Sequence, residues 1–180
     1  LHLVSVYIGG GTPTTLSAEQ LSLLCERVHS LFDLSRCPEF TVEAGRPDTI
    51  TPEKLLALKQ GGVTRISINP QSLSDQVLEN IGRRHTAQDV LDAFALAKQA
   101  GFEDINCDLI VGLPGDSPAG FANTLEGVLG LGASNVTVHS LALKRAARIE
   151  AEGGTELHKK QQETAAMMDF SIRRLTEEGY

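Results

Sequence analysis

Five short runs rich in β-branched residues alternate with helical stretches, and this alternation limits the possible folds more than any other feature. The runs cover residues 3–8, 40–43, 64–68, 105–111 and 136–139. Their spacing of about 30 residues is typical of strand–helix–strand units, in which a helix crosses between parallel strands. Because the runs are nearly continuous in apolar character, they predict strands buried on both faces of a parallel sheet.

Helix start and stop signals lie between the predicted strands. Four helices are expected to begin after a capping residue, at Ser17, Thr51, Thr86 and Ser117. Gly61 and Gly101 follow the last periodic apolar residue of a helix, where a left-handed cap is common. A long polar helix is expected over about residues 156–178.

Two architectures fit this order of elements, a doubly wound open sheet and part of a (β/α) barrel. A closed eight-unit barrel needs about 250 residues, whereas this chain has 180. The pattern alone does not separate the two architectures. Either of them forms a single domain over residues 1–180.

Composition and charge exclude several classes of partner. The formal net charge of −7 gives no electrostatic reason to bind nucleic acid or an anionic membrane. No apolar run approaches the roughly 20 residues of a membrane helix, and the first residues lack the basic region of a signal peptide. The three cysteines have neither disulfide-scaffold nor C-x-x-C spacing, which favours reduced thiols and a cytoplasmic location.

A glycine-rich segment, G-G-G-T-P-T, follows the first predicted strand at residues 9–14. In parallel α/β folds, sites form at this edge of the sheet. Glycine lets backbone N–H groups approach a ligand closely, but the segment is neither a G-x-G-x-x-G fingerprint nor a P-loop. The alternative is a tight turn that leads into the helix capped by Ser17.

Polar residues stand at or near the ends of later strands, and each has a structural alternative. Glu43 suits an ammonium group or a ribose hydroxyl, or an ion pair with Arg46. Gln71 offers a donor and an acceptor, or caps the next helix. Arg83 suits a ligand carboxylate, or is simply solvated. Asp108 is an acid within an apolar strand, where a carboxylate needs a partner.

Five segments, taken in order, resemble the radical S-adenosylmethionine enzymes of the oxygen-independent coproporphyrinogen III oxidase family. They read Y-I-G-G-G-T-P-T, E-A-G-R-P, I-S-I-N-P-Q-S, G-R-R-H-T and N-C-D-L-I-V-G-L-P-G, at residues 7–14, 43–47, 66–72, 82–86 and 106–115. The N-P-Q-S variant is most similar to the coproporphyrinogen dehydrogenase-like branch of that family. The resemblance covers essentially the whole chain.

The resemblance implies a partial (β/α)6 barrel and the cofactors of that family. These are S-adenosylmethionine and a [4Fe-4S] cluster that reduces it to a 5′-deoxyadenosyl radical. In the family, the radical removes hydrogen from propionate groups of coproporphyrinogen III, and decarboxylation gives protoporphyrinogen IX. The implied partners are therefore a tetrapyrrole and an electron donor for the cluster, while the charge and the lack of a long apolar run predict neither a nucleic-acid nor a membrane partner.

The resemblance also carries site residues onto this sequence. The positions that match the family's contacts to S-adenosylmethionine are Gly10, Gly11, Thr12, Glu43, Gln71, Arg83, Asp108 and Ala142. No catalytic residue is assigned beyond these cofactor contacts.

The cysteines depart from the family pattern. The family holds its cluster with a C-x-x-x-C-x-x-C loop, which this sequence lacks, because Cys25, Cys37 and Cys107 fall on other elements. The resemblance therefore implies that the first strand here matches the family's second strand, so that the cluster strand lies upstream and the substrate region downstream. We expect these residues alone to bind no cluster and to catalyse no turnover.

Three other interpretations remain open on the sequence. A haem chaperone of the same superfamily shares these motifs but does not oxidise the porphyrinogen. A metal-free α/β module could hold a phosphate or nucleotide with its strand-end glycines. A scaffold domain with an inert rim is the third.

Overall fold

The computed structural model describes residues 2–141 and 154–180, and in them five parallel strands form one sheet. The strands are β1 (Ser5–Ile8), β2 (Glu39–Glu43), β3 (Arg65–Gln71), β4 (Asp104–Val111) and β5 (Asn135–Ser140). The helices are α1 (Ala18–Leu31), α2 (Pro52–Gln60), α3 (Asp75–Asn80), α4 (Ala87–Gln99), α5 (Pro118–Gly130) and α6 (Gly154–Glu177). Short 3-10 turns cover Pro13–Thr15 and Pro47–Thr49. None of the described helices has the length and apolarity needed to cross a membrane.

Strand order separates the two architectures that the sequence leaves open. The order is β1-β2-β3-β4-β5, and every neighbouring pair is parallel. Each crossover therefore leads to the adjacent strand, always toward the same edge of the sheet. Right-handed crossovers of this kind place all their helices on one face. A doubly wound sheet reverses direction and carries helices on both faces. The expected partial (β/α) barrel is confirmed.

The two faces of the sheet differ in polarity. Val42, Ile66 and Ile105 lie in one register row, are fully buried, and belong to the core that the helices cover. The opposite face, called here the polar face, carries alternate residues that include Tyr7, Thr41, Ser67, Asn106 and Asp108. The central strands are buried on both faces, as expected, since Thr41, Ser67 and Asn106 are also buried, but the second face is polar and not apolar. Along these strands, residues that point to the apolar face alternate with residues that point to the polar face.

The helix starts follow the capping signals. Ser17 and Thr86 form complete capping boxes, and the side chains of Thr51 and Ser117 also accept a backbone N–H. Gly101 has the expected left-handed conformation, with φ of +85°.

Gly61 does not adopt the expected left-handed conformation, because its φ is −73° and Gly62 takes the positive value of +81°. A Cβ built at Gly61 would lie 2.6 Å from the Cβ of Cys25. Gly61 is therefore needed for the close approach of α1 and α2, and Gly62 for the turn.

Candidate ligand-binding site on the polar face

The loop after β1 presents its backbone to open space. Gly10 and Gly11 have φ values of +86° and +59°, and a Cβ at either would meet no atom within 4 Å. The other side of the loop is fixed, since Thr14 Oγ1 donates to the Ala44 carbonyl at 2.8 Å and Lys54 Nζ donates to the Thr14 carbonyl at 2.6 Å. The loop is thus held in shape while its glycine backbone stays accessible to a ligand.

Glu43 ends β2 directly beside this loop. Its Oε2 accepts hydrogen bonds from Gly10 N at 3.3 Å and Tyr7 Oη at 3.4 Å, and its Oε1 accepts from Asn69 Nδ2 at 3.2 Å. Among the described residues no ion pair joins Glu43 to Arg46, which is exposed. The glutamate is therefore oriented by uncharged donors, and no cationic side chain among the described residues forms an ion pair with it.

Asp108 lies on the polar face of β4, half-buried and three residues before the end of the strand. It lines a cavity of about 300 Å³ together with residues that include Ser67, Asn106 and His139. Asn106 Nδ2 donates to Asp108 Oδ1 at 2.8 Å. Through Asn106, Ser67 and Asn69, a row of hydrogen bonds connects Asp108 with Glu43.

Gln71 is the last residue of β3, which the sequence predicts to end at residue 68. It has a φ of +67°, and the strand register shifts between Ile68 and Gln71. The residue is 8% exposed, and its Oε1 is buried without a hydrogen-bond partner among the described residues. A buried orphan carbonyl on a strained backbone costs stability, which is typical of a site that a ligand completes.

The structural alternative for Gln71 does not hold. The N–H of Ser74, which caps α3, bonds to Ser72 Oγ at 3.1 Å and not to the Gln71 amide. Behind the shifted segment, buried His85 Nε2 lies 3.4 Å from the Pro70 carbonyl. Burial lowers the pKa of His85, so that the neutral imidazole holds this carbonyl at neutral pH.

The remaining sequence-predicted residues are less closely joined to this group. Arg83 is half-buried between α3 and α4, and within residues 2–141 and 154–180 its guanidinium makes no hydrogen bond or ion pair. Thr12 precedes the 3-10 turn, and its carbonyl accepts from Thr15 N at 3.0 Å. Ala142 lies outside the described residues.

Sequence reasoning missed three side chains of the row, namely Ser67, Asn69 and Asn106. The signal was available, because Ser67 and Asn69, like Asn106 and the predicted Asp108, stand two residues apart in one strand. Such pairs point to the same face of a sheet.

The cysteines lie on different elements and do not fit an iron–sulfur cluster. Cys25 is buried on α1, while Cys107 is buried on the apolar side of β4, where burial raises its pKa to about 12. Cys37 lies before β2, and its Sγ donates to the Glu39 carbonyl at 3.2 Å. Among the described residues no group of three metal-ligating side chains is found.

Thiol labelling checks this arrangement. With Ellman's reagent under native conditions, we expect only the half-buried Cys37 to react quickly, because Cys25 and Cys107 are buried and burial raises both their pKa values. Unfolding in guanidinium should release the other two thiols. The control Cys37→Ser should remove the fast phase, whereas three fast thiols in the native chain would contradict the structure.

Comparisons with known proteins identify the superfamily. Residues 2–128 match the family model described as the Radical SAM superfamily. The chain is 41% identical over 181 residues to the oxygen-independent coproporphyrinogen-III oxidase-like protein HemZ of Bacillus subtilis (strain 168), covering 100% of this chain and 36% of that protein. It is 42% identical over 146 residues to the heme chaperone HemW of the same organism, covering 79% of this chain and 38% of that protein.

A solved structure agrees with these sequence matches. The structure of the coproporphyrinogen III oxidase HemN from Escherichia coli, described as a radical SAM enzyme, superimposes with a TM-score of 0.81 at 26% identity, covering 98% of this chain and 41% of that one. The chain therefore spans between about a third and two fifths of the length of these three relatives. Its fold and its sequence agree that it belongs to the radical S-adenosylmethionine superfamily, whose members use S-adenosylmethionine and a [4Fe-4S] cluster.

Proposed function

We propose that the polar face and the glycine loop bind S-adenosylmethionine, in the core of a cytoplasmic enzyme similar to oxygen-independent coproporphyrinogen III oxidases. The reaction proposed for the whole protein is the oxidative decarboxylation of coproporphyrinogen III to protoporphyrinogen IX. The observation that carries the proposal is the unbroken row of hydrogen bonds from the Gly10 N–H through Glu43 to Asp108.

The exposed chemistry of this face fits S-adenosylmethionine. The ligand has an ammonium group, a sulfonium cation and ribose hydroxyls, which call for acceptors and negative charge. Glu43 and Asp108 provide them, and so does the buried Oε1 of Gln71, which has no hydrogen-bond partner among the described residues. The ligand's carboxylate calls for donors, which the backbone of Gly11 and the guanidinium of Arg83 can provide.

In the proposed mechanism, the residues of this chain bind S-adenosylmethionine and orient it. When bound, S-adenosylmethionine supplies the radical chemistry of the superfamily. Glu43 and the loop at Gly10 and Gly11 hold the amino-acid end, while Asp108 and Gln71 hold hydroxyl and amine groups. Thr12 and Ala142 belong to the proposal through the family resemblance, and the cluster ligands, the electron donor and the tetrapyrrole contacts are assigned to other segments.

A haem chaperone is the second candidate, because HemW of Bacillus subtilis is 42% identical over 79% of this chain. A metal-free phosphate site is less compatible with this face, because Asp108 lines the cavity and Glu43 lies beside the glycine loop. Two carboxylates repel an anion. Phosphate that protects the chain on heating, with no effect of S-adenosylmethionine, would favour that module instead.

Product analysis separates the oxidase from the chaperone. The protein expressed from the complete reading frame, reconstituted without oxygen, is incubated with coproporphyrinogen III, S-adenosylmethionine and a reductant. We expect a protoporphyrin product, detected by its fluorescence after chromatography. Haem binding without product would identify the chaperone, and neither binding nor product would contradict both functions.

A further inference from the structure

We propose that Asn69 and Asn106 are positioning residues, which orient Glu43 and Asp108 through the single hydroxyl of Ser67. The inference rests on the proposed function, because it assigns these five residues to one S-adenosylmethionine site. Asn69, Ser67 and Asn106 need not touch the ligand in this arrangement. They set the direction in which the two carboxylates point.

The hydroxyl of Ser67 fixes the amide of Asn69. Ser67 Oγ has one proton, and it donates this proton to Asn69 Oδ1 at 2.7 Å. Once the amide oxygen of Asn69 faces Ser67, its Nδ2 faces Glu43 Oε1, at 3.2 Å. A flipped amide would turn its oxygen toward the carboxylate, which only accepts, so the Ser67 proton and Glu43 favour the same orientation of the Asn69 amide.

Asn106 completes the row on the other side of Ser67. Its Nδ2 donates to Ser67 Oγ and to Asp108 Oδ1, both at 2.8 Å. Its Oδ1 accepts from Thr137 Oγ1 at 3.3 Å. Both protons of this amide are therefore committed, and the orientation of Asn106 determines the donor that Asp108 receives.

Burial makes these bonds strong enough to orient a carboxylate. Ser67, Asn69 and Asn106 are 2%, 6% and 8% exposed, so water competes poorly for their hydrogen bonds. Glu43, Ser67 and Asn106 are register partners on neighbouring strands. At about 4.8 Å per strand, the row spans about 10 Å, which suits an extended ligand with a polar group at each end.

The substitution Ser67→Ala tests the proposal, because it removes the shared hydroxyl and alters neither carboxylate. We expect it to weaken S-adenosylmethionine binding by about tenfold, since each amide loses one of the hydrogen bonds that fix its orientation. Ser171→Ala is the matched control. Ser171 is 1% exposed and lies on α6, where its hydroxyl donates to the Met168 carbonyl, and this variant should bind within about twofold of the unmodified chain.

A ligand-free measurement separates orientation from a general structural effect. In NMR spectra of the 180-residue chain, Ser67→Ala should shift the side-chain amide signals of Asn69 and Asn106 together with the carboxyl carbons of Glu43 and Asp108. Ser171→Ala should shift none of these signals. Unchanged amide signals in Ser67→Ala would overturn the proposal.

A double-mutant cycle covers the case in which Ser67→Ala fails to fold. If Asn69 and Asn106 act through one hydroxyl, the affinity losses of Asn69→Ala and Asn106→Ala should not add in the double variant. Additive losses would overturn the proposal. If the unmodified chain binds no S-adenosylmethionine, the proposed function fails and this inference with it. If it binds and Ser67→Ala binds equally well, only the inference fails.

Discussion

Replacing Glu43 with glutamine is expected to weaken S-adenosylmethionine binding by about 10- to 100-fold, while the fold stays intact. Among the described residues, Gly10 N, Tyr7 Oη and Asn69 Nδ2 form hydrogen bonds with the Glu43 carboxylate, and all three donate. A carboxylate accepts from all three, whereas an amide places its own NH₂ group against at least one of them. The substitution also removes the negative charge that we assign to the ligand's ammonium group.

Titration calorimetry of the unmodified chain and Glu43→Gln measures this loss. Glu79→Gln is the matched control, because it removes the same charge from an exposed position on α3. Circular dichroism should show equal helix content in all three proteins. If Glu43→Gln binds as tightly as the unmodified chain, Glu43 has no place in the site.

Gln71→Gly is expected to lose about tenfold in S-adenosylmethionine affinity and yet to be at least as stable as the unmodified chain. Gln71 has a φ of +67°, a conformation that costs a residue with a Cβ about 1–2 kcal/mol. Glycine removes this strain and also the buried Oε1, which has no partner in the part of the chain that the structure describes. We infer that this position gives up stability for a side chain that we assign to the ligand.

Comparison with Gln71→Ala isolates the backbone strain from the loss of the side chain. In an ordinary strand, alanine is about 0.5–1 kcal/mol more stable than glycine. At residue 71 we expect the order to reverse, with glycine the more stable by about 1 kcal/mol in urea unfolding. An alanine variant that is the more stable would show that Gln71 is not strained.

The elements that sequence predicts well are those set by local signals. The capping residues Ser17 and Thr86 define helix starts, because their side chains satisfy N–H groups only a few residues away. The meeting of Gly10 and Glu43 also follows from the sequence, since both residues come at the ends of neighbouring parallel strands.

The row of hydrogen bonds on the polar face could not be predicted from the sequence. Ser67 and Asn69 interrupt an apolar run, and their function depends on partners from β2 and β4 that lie 26 and 39 residues away in the chain. The position at which β3 ends could not be predicted from neighbouring residues either. The register shift before Gln71 is supported by the contact between His85 and the Pro70 carbonyl. These two residues lie 15 positions apart in the chain, so the pattern of residues within the strand does not reveal the contact.

An NMR titration of the isotopically labelled chain with S-adenosylmethionine tests whether the polar face binds this ligand. We expect saturable shifts in the backbone amides of Gly10, Gly11, Glu43, Gln71 and Asp108. We expect none for Lys59, Gly62 and Gly101, which line a groove elsewhere on the surface. Shifts confined to that groove, or no saturable shifts at all, would contradict the assignment of the polar face as an S-adenosylmethionine site.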